Sequence, residues 1–142
     1  MPEQTAVGKF MRITAALQTA GVFFQAVTAG MLLSTEYGEA LHGAGARGMY
    51  AASMLYVLAA VLGWRPGGGS VRPVLYAAGM LVLASAQVVL GIAHVASVHV
   101  PLGVLMFGLS VLQLGHAVVG GRLRARNALY VRARGGPYVK ET

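Results

Sequence analysis

The chain has no cysteine. Disulfides, cysteine-ligated zinc, iron–sulfur clusters and thiol nucleophiles are therefore excluded. Charge is scarce too: only 11% of the 142 residues are charged, where a soluble domain carries about 25%. The acids are the rarer sign, four against eleven Lys and Arg, giving a net charge of +7. In their place stand apolar residues, at 56%, with twenty glycines and seven methionines. That balance points to lipid. Glycine lets membrane helices approach closely, and methionine fills the irregular gaps between them. The length suits one domain.

A membrane span needs about 20 mostly apolar residues. Four stretches qualify, at about 10–34, 41–64, 73–93 and 98–120. Lys9 and Arg12 precede the first. It is long enough to span and has no clear small-residue cleavage site, so it is expected to be a span and not a cleaved signal. Pro73 and Pro101 are expected in the first turns of the third and fourth spans, where a missing N–H costs nothing. Gly43, Gly45, Arg47 and Gly48 interrupt the second span early. The connections are short, which predicts an all-α, antiparallel, up-down-up-down bundle of four transmembrane helices.

The basic residues orient it. Lys9, Arg12, Arg65, Arg72, Arg122, Arg124, Arg126, Arg132, Arg134 and Lys140 fall on one side, and only Arg47 on the other. By the positive-inside rule the populated side is cytoplasmic, with both termini there. The loop with Glu36 and Glu39 is then outside. The sequence divides into a membrane domain, 1–121, and a basic cytoplasmic tail, 122–142. The tail is too short for a core of its own; set against binding of nucleic acid or anionic lipid, it reads as a positive-inside anchor.

Polar side chains inside spans are costly and often functional. His42 and His99 occupy equivalent places, each at the outer start of the second helix of a hairpin. In an up-down bundle those helices are diagonal, so two imidazoles can approach across the axis. That arrangement suits a six-coordinate haem iron with one nitrogen on each face. Gly43, Gly45, Gly48 and Gly103 offer room beside them. Zinc would need three or four convergent ligands, and His94 could join the pair. His116 lies 17 residues beyond His99, about 25 Å along a helix and near the inner face. Arg47 could hold a haem propionate through paired hydrogen bonds or pair with Glu36 or Glu39. Glu39, three residues before His42, shares its helix face. It could orient His42, stabilise positive charge on a substrate or move a proton, or it could simply be a solvated acid favoured at a helix N-terminus. Gln25 and Gln87 precede Gly30 and Gly91 in matching order, a faint internal repeat of two helical hairpins. Their expected role is tying helices together.

These residues resemble the haem A synthase family, whose members are built as two similar four-helix halves. Each half has a histidine at the outer start of its second and fourth helices. The family's outer first loop carries a glutamate three residues before the first histidine, which here reads Glu39-Ala40-Leu41-His42. The fourth-helix match is Gln87-Val88-Val89-Leu90-Gly91 followed by His99-Val100-Pro101-Leu102-Gly103. The likeness covers about residues 10–120 and corresponds to a single half, as in compact, archaeal-type members. Many members follow the first histidine with arginine, where this chain has Gly43, and some carry paired loop cysteines, which it lacks.

The resemblance implies a multi-pass cell-membrane oxidoreductase that converts the C8 methyl of haem O to the formyl of haem A. His42 and His99 would be the axial ligands of haem b or of haem O/A, Arg47 a cofactor-binding residue and Glu39 the catalytic group. It further implies homo-oligomers, since one histidine pair per chain leaves a second haem to another copy, and links to a haem O synthase or a terminal oxidase. Two other readings stand beside it: a non-catalytic b-type haem electron carrier, which uses the two histidines without Glu39, and a small assembly or structural subunit of a respiratory complex, which needs no haem.

Overall fold

The computed structural model describes residues 2–65 and 70–133. These residues form four helices and, among them, no strand: α1 (Pro2–Met31), α2 (Gly38–Trp64), α3 (Arg72–Ile92) and α4 (Ala96–Ala133). Helix α1 packs on α2 and α4, and α3 packs on the same two. The diagonal pairs, α1 with α3 and α2 with α4, make no close backbone approach among the described residues.

Each expected span corresponds to one of these helices, but α1 ends at Met31, three residues short of the expected 34, and two other ends differ by more. Helix α1 starts about two turns earlier than expected, and α4 continues well past residue 120. The stretch from Arg122 is therefore helical as far as Ala133; the remainder, with Arg134 and Lys140, lies outside the described residues, as do Gly67, Gly68 and Gly69. The early start of α4 also moves Pro101 to its sixth residue, inside the helix and not in its first turn. There the missing N–H deprives the Ser97 carbonyl of its helical partner. Pro73 sits in the first turn of α3 as expected.

Helices α2, α3 and α4 are long and apolar enough to cross a membrane. The first is long enough but more polar, and burial explains why. Its polar residues Thr14, Gln18 and Thr28 are completely enclosed, while Ile13, Leu17, Phe23, Phe24 and Val27 are exposed. The whole molecule repeats this inversion. Its interior combines small or flexible apolar residues with Ser53, Gln87 and Ser110, whereas Leu33, Val82 and Val104 stand largely bare. Water would penalise that surface at about 25 cal/mol per Å²; hydrocarbon would not.

The core has two layers. Val22, Met49, Met80, Ala84 and Met106 draw on all four helices, and Ala15, Tyr56, Ala60 and Ala77 form the second layer, with Leu114 against it. Every pair of touching helices is also crossed by a hydrogen bond. Gln18 Nε2 donates to Ser53 Oγ between α1 and α2 (3.1 Å). The Tyr50 and Ser85 hydroxyls join α2 to α3 (3.1 Å). Gln113 Nε2 donates to the Tyr76 carbonyl between α4 and α3 (3.2 Å), and Thr19 Oγ1 to the Ser110 carbonyl between α1 and α4 (3.1 Å). Such ties act where lipid competes for apolar contact, and average about 0.6 kcal/mol each.

Candidate functional site

The two turns at one end of the bundle deliver the site. Between α1 and α2 the chain reverses tightly, with Gly38 buried against the Met31 carbonyl, where a side chain has no room. Helix α2 then runs back along α1 and carries His42 in its second turn. Between α3 and α4 the reversal is shorter. The Val95 N–H bonds to the Leu90 carbonyl (3.0 Å) and the His94 N–H to that of Gly91 (3.1 Å). This double bond pattern ends a helix with one residue in the left-handed region, usually glycine. Here that residue is His94, at φ 56°, and α4 starts two residues later with His99 in its first turns.

The rings of His42 and His99 meet across the diagonal, with centres 6.2 Å apart and planes at 63°. The sequence pattern anticipated this approach. Both rings are held by their Nδ1 atoms. His99 Nδ1 lies 3.1 Å from the Gln87 backbone carbonyl. A carbonyl only accepts, so Nδ1 carries the proton. His42 Nδ1 lies 3.0 Å from Thr28 Oγ1. The single hydroxyl proton of Thr28 also has the Phe24 and Gln25 carbonyls in reach (3.0 and 3.2 Å). With that proton on either carbonyl, Thr28 accepts from His42 and Nδ1 carries the proton there too. In the neutral rings each Nε2 is left with a lone pair and no protein partner among the described residues.

A metal ion bonded in line to one nitrogen of each ring, at about 2 Å, would set the ring centres about 6 Å apart. The observed spacing fits. The Nδ1 partners are what metal-binding imidazoles commonly have, since they fix the tautomer and aim the other nitrogen.

The two hairpins build this arrangement alike. Gln25 Nε2 donates to the His42 carbonyl (3.1 Å), and Gln87 Nε2 to the His99 carbonyl (3.0 Å). Each glutamine lies over a glycine of the facing helix. A Cβ at Gly45 would collide with Gln25, and one at Gly103 would come within 2.9 Å of Gln87 Nε2. These two glycines thus seat the glutamines and do not open a ligand slot. Gly48 faces open space and lies outside the cleft. Room comes from Gly43 and Gly91, which line an open cleft of ≈ 920 Å³ beside the histidines. That is within the range of about 300–1,000 Å³ typical of cofactor sites. Glu36, Glu39 and His94 line the same cleft, so Glu39 and His42 do share a face.

Arg47 is exposed and does not line this cleft. It makes no ion pair with Glu36 or Glu39, nor with any other described residue. His116 lies at the far end of the bundle and lines a different cleft. The described residues contain no cluster of three or more His, Asp or Glu able to hold a metal ion, so the three-histidine zinc arrangement with His94 is not formed. Sequence reading passed over Thr28 and the Gln87 backbone carbonyl. A carbonyl leaves no trace in side-chain pattern. Thr28 offered one sign: it is three residues after Gln25 and so on its helix face. No family model, curated protein or solved structure matches the chain.

Proposed function

We propose that this chain is a haem-binding oxidoreductase of the cell membrane, acting as haem A synthases do on the C8 methyl of haem O. The observation that carries the reading is the His42–His99 pair, with ring centres 6.2 Å apart and both Nε2 atoms left for a metal. Paired imidazoles on opposite faces suit haem iron, which can be six-coordinate. The cleft beside them has the volume for a cofactor, with Gly43 and Gly91 in its wall. The macrocycle would supply the redox chemistry, and the oxygen atom and electron acceptor come from outside the chain. The protein's own part is to bind and orient. His42 and His99 hold the iron, Thr28 and the Gln87 carbonyl aim the rings, and Glu39 places a carboxylate in the same cleft. Arg47 stands apart from this cleft and has no part in the proposal.

In this reading the helices form an antiparallel bundle. The cross-helix bonds support it: Gln18 meets Ser53 while Gln25, further along α1, meets the earlier residue His42. Helix α1 is the fourth span, its polar residues turned inward. Both termini lie in the cytoplasm, because ten of the eleven basic residues fall at that end, and the histidine pair lies near the outer face. One pair per chain makes a homo-oligomer the route to a second haem.

Co-expression with a haem O synthase, followed by pigment extraction, tests the catalytic step. Haem A or its hydroxylated precursor is expected, and Glu39→Ala should abolish it. Bound haem with no modified pigment would instead favour the electron carrier. Absorption spectra of purified His42→Ala and His99→Ala test the ligands. A low-spin b-type spectrum should be lost or become high-spin, and an unchanged spectrum in both variants would remove the assignment.

A further inference from the structure

A second cleft lies at the other end of the bundle, with a volume of ≈ 1220 Å³. It differs from the first in charge. The histidine cleft contains Glu36 and Glu39 and no Lys or Arg. The second contains Arg12 and Arg72 and no acid. Neither arginine has an ion-pair partner among the described residues. Arg12 crosses from α1 toward α4 because position 121 is glycine; a Cβ there would lie 2.9 Å from Arg12 Nη1.

Arg12 Nε does donate to the Gly8 carbonyl (3.2 Å), but two other groups in the wall lack a hydrogen-bond partner. Tyr56 is only 4% exposed, lines the cleft, and its hydroxyl has no hydrogen bond among the described residues. Gln113 uses its Nε2 on the Tyr76 carbonyl, leaving Oε1 buried without a donor. Above this polar floor the walls are apolar: Val82, Leu83, Leu109 and Leu112. Val82 and Leu112 are largely exposed on the molecule's outer surface, so the cleft opens sideways toward lipid.

We propose that this cleft binds one anionic phospholipid, its phosphate held by Arg12 and Arg72 and an acyl chain laid along α3 and α4. The unpaired positive charge selects the phosphate, and Tyr56 offers a donor to it. A free phosphate would leave the apolar walls uncovered. Basic pockets between membrane helices bind acidic headgroups for these reasons. The proposal needs the chain to lie in a membrane but not to bind haem, so it stands or falls apart from the catalytic reading.

The test is lipid retention by the purified full chain, stripped of lipid in neutral detergent and titrated with phosphatidylglycerol or with phosphatidylcholine of the same acyl chains, read by native mass spectrometry. One phosphatidylglycerol per chain should bind in preference to phosphatidylcholine. Arg12→Gln and Arg72→Gln should each weaken it about fivefold, and the pair about thirtyfold, at one charge contact apiece. Gly121→Leu leaves the charge unchanged but displaces Arg12, and should weaken it as well. Lys9→Gln with Arg126→Gln removes equal charge from exposed positions outside the cleft and should leave binding unaltered. Helical content by circular dichroism shows that each variant folds. Equal binding of the two lipids would overturn the proposal. So would equal losses in the control and cleft pairs, which would mean general surface attraction, or displacement of phosphatidylglycerol by inorganic phosphate, which would mean a free-anion site.

Discussion

Thr28→Val isolates the role of the hydroxyl behind His42. Valine has nearly the shape of threonine, and residue 28 is fully buried, so packing should hardly change. The hydroxyl's own bonds run back to carbonyls of α1; those carbonyls already have helical partners, so losing the back-bond costs little. What is lost is the acceptor for His42 Nδ1, at 3.0 Å. A net hydrogen bond of this kind contributes about 1 kcal/mol, and without it the ring can turn and exchange tautomers. Removing the partner that orients a metal-binding histidine typically costs about 10- to 100-fold in affinity, or about 1.4 to 2.8 kcal/mol. The assay is titration of haem b into the purified, haem-free chain in detergent, followed by absorbance. Thr28→Val should raise Kd by that factor while thermal unfolding of the haem-free chain barely moves, and Thr28→Ser, which keeps the hydroxyl, should bind as the native chain does. Gln87→Leu is the contrast: His99 is held by the backbone carbonyl of residue 87, which survives the substitution, so its tautomer should persist. A valine variant that binds haem as tightly as the native chain would refute the tautomer argument.

Three other substitutions test the frame around the site. His94→Gly relieves a left-handed residue at φ 56° and should stabilise the chain by about 1 kcal/mol, measured by denaturant unfolding in detergent; a loss of stability would mean that the His94 side chain contributes more than its backbone costs. Gly103→Ala places a methyl 2.9 Å from Gln87 Nε2 and should lower the thermal midpoint by disturbing the bond to the His99 carbonyl. Gly108→Ala, with nothing within 4 Å, should leave the midpoint unchanged or raise it through better helix propensity; equal losses in both would show that the glutamine seat is immaterial. Ser53→Ala leaves Gln18, 1% exposed, without its acceptor and should cost about 1 to 3 kcal/mol, again read by unfolding, whereas no change would mean that Gln18 finds another partner.

Composition and apolar length were sufficient to place four helices and to pair His42 with His99, because equivalent positions in two hairpins of a bundle fall on one diagonal. They misjudged where α1 begins and α4 ends for a physical reason. Apolar length measures what can sit in lipid, whereas a helix continues wherever residues favour it. The stretch after Gly121 is rich in Arg, Leu and Ala, all strong helix formers, so α4 continues past residue 120, where the apolar stretch ends. Arg47 and Glu39 were placed by spacing alone. Spacing fixes a helix face only relative to a neighbour on the same helix, and so it put Glu39 beside His42 correctly. It could not say that residue 47 turns away from the bundle. The glutamines were legible as ties, but which carbonyl each would meet depends on the lengths of two turns, and these differ between the hairpins.

The diagonal helices α2 and α4 do not approach along their backbones; the two imidazoles are where the square of helices is crossed. Anything that bridges them therefore acts as a brace between one hairpin and the other. Its contribution to holding the frame rises with the logarithm of its free concentration, reaching about 2.7 kcal/mol at a hundredfold excess over Kd. With such a brace in place, the first hairpin cannot separate from the second without releasing what they hold.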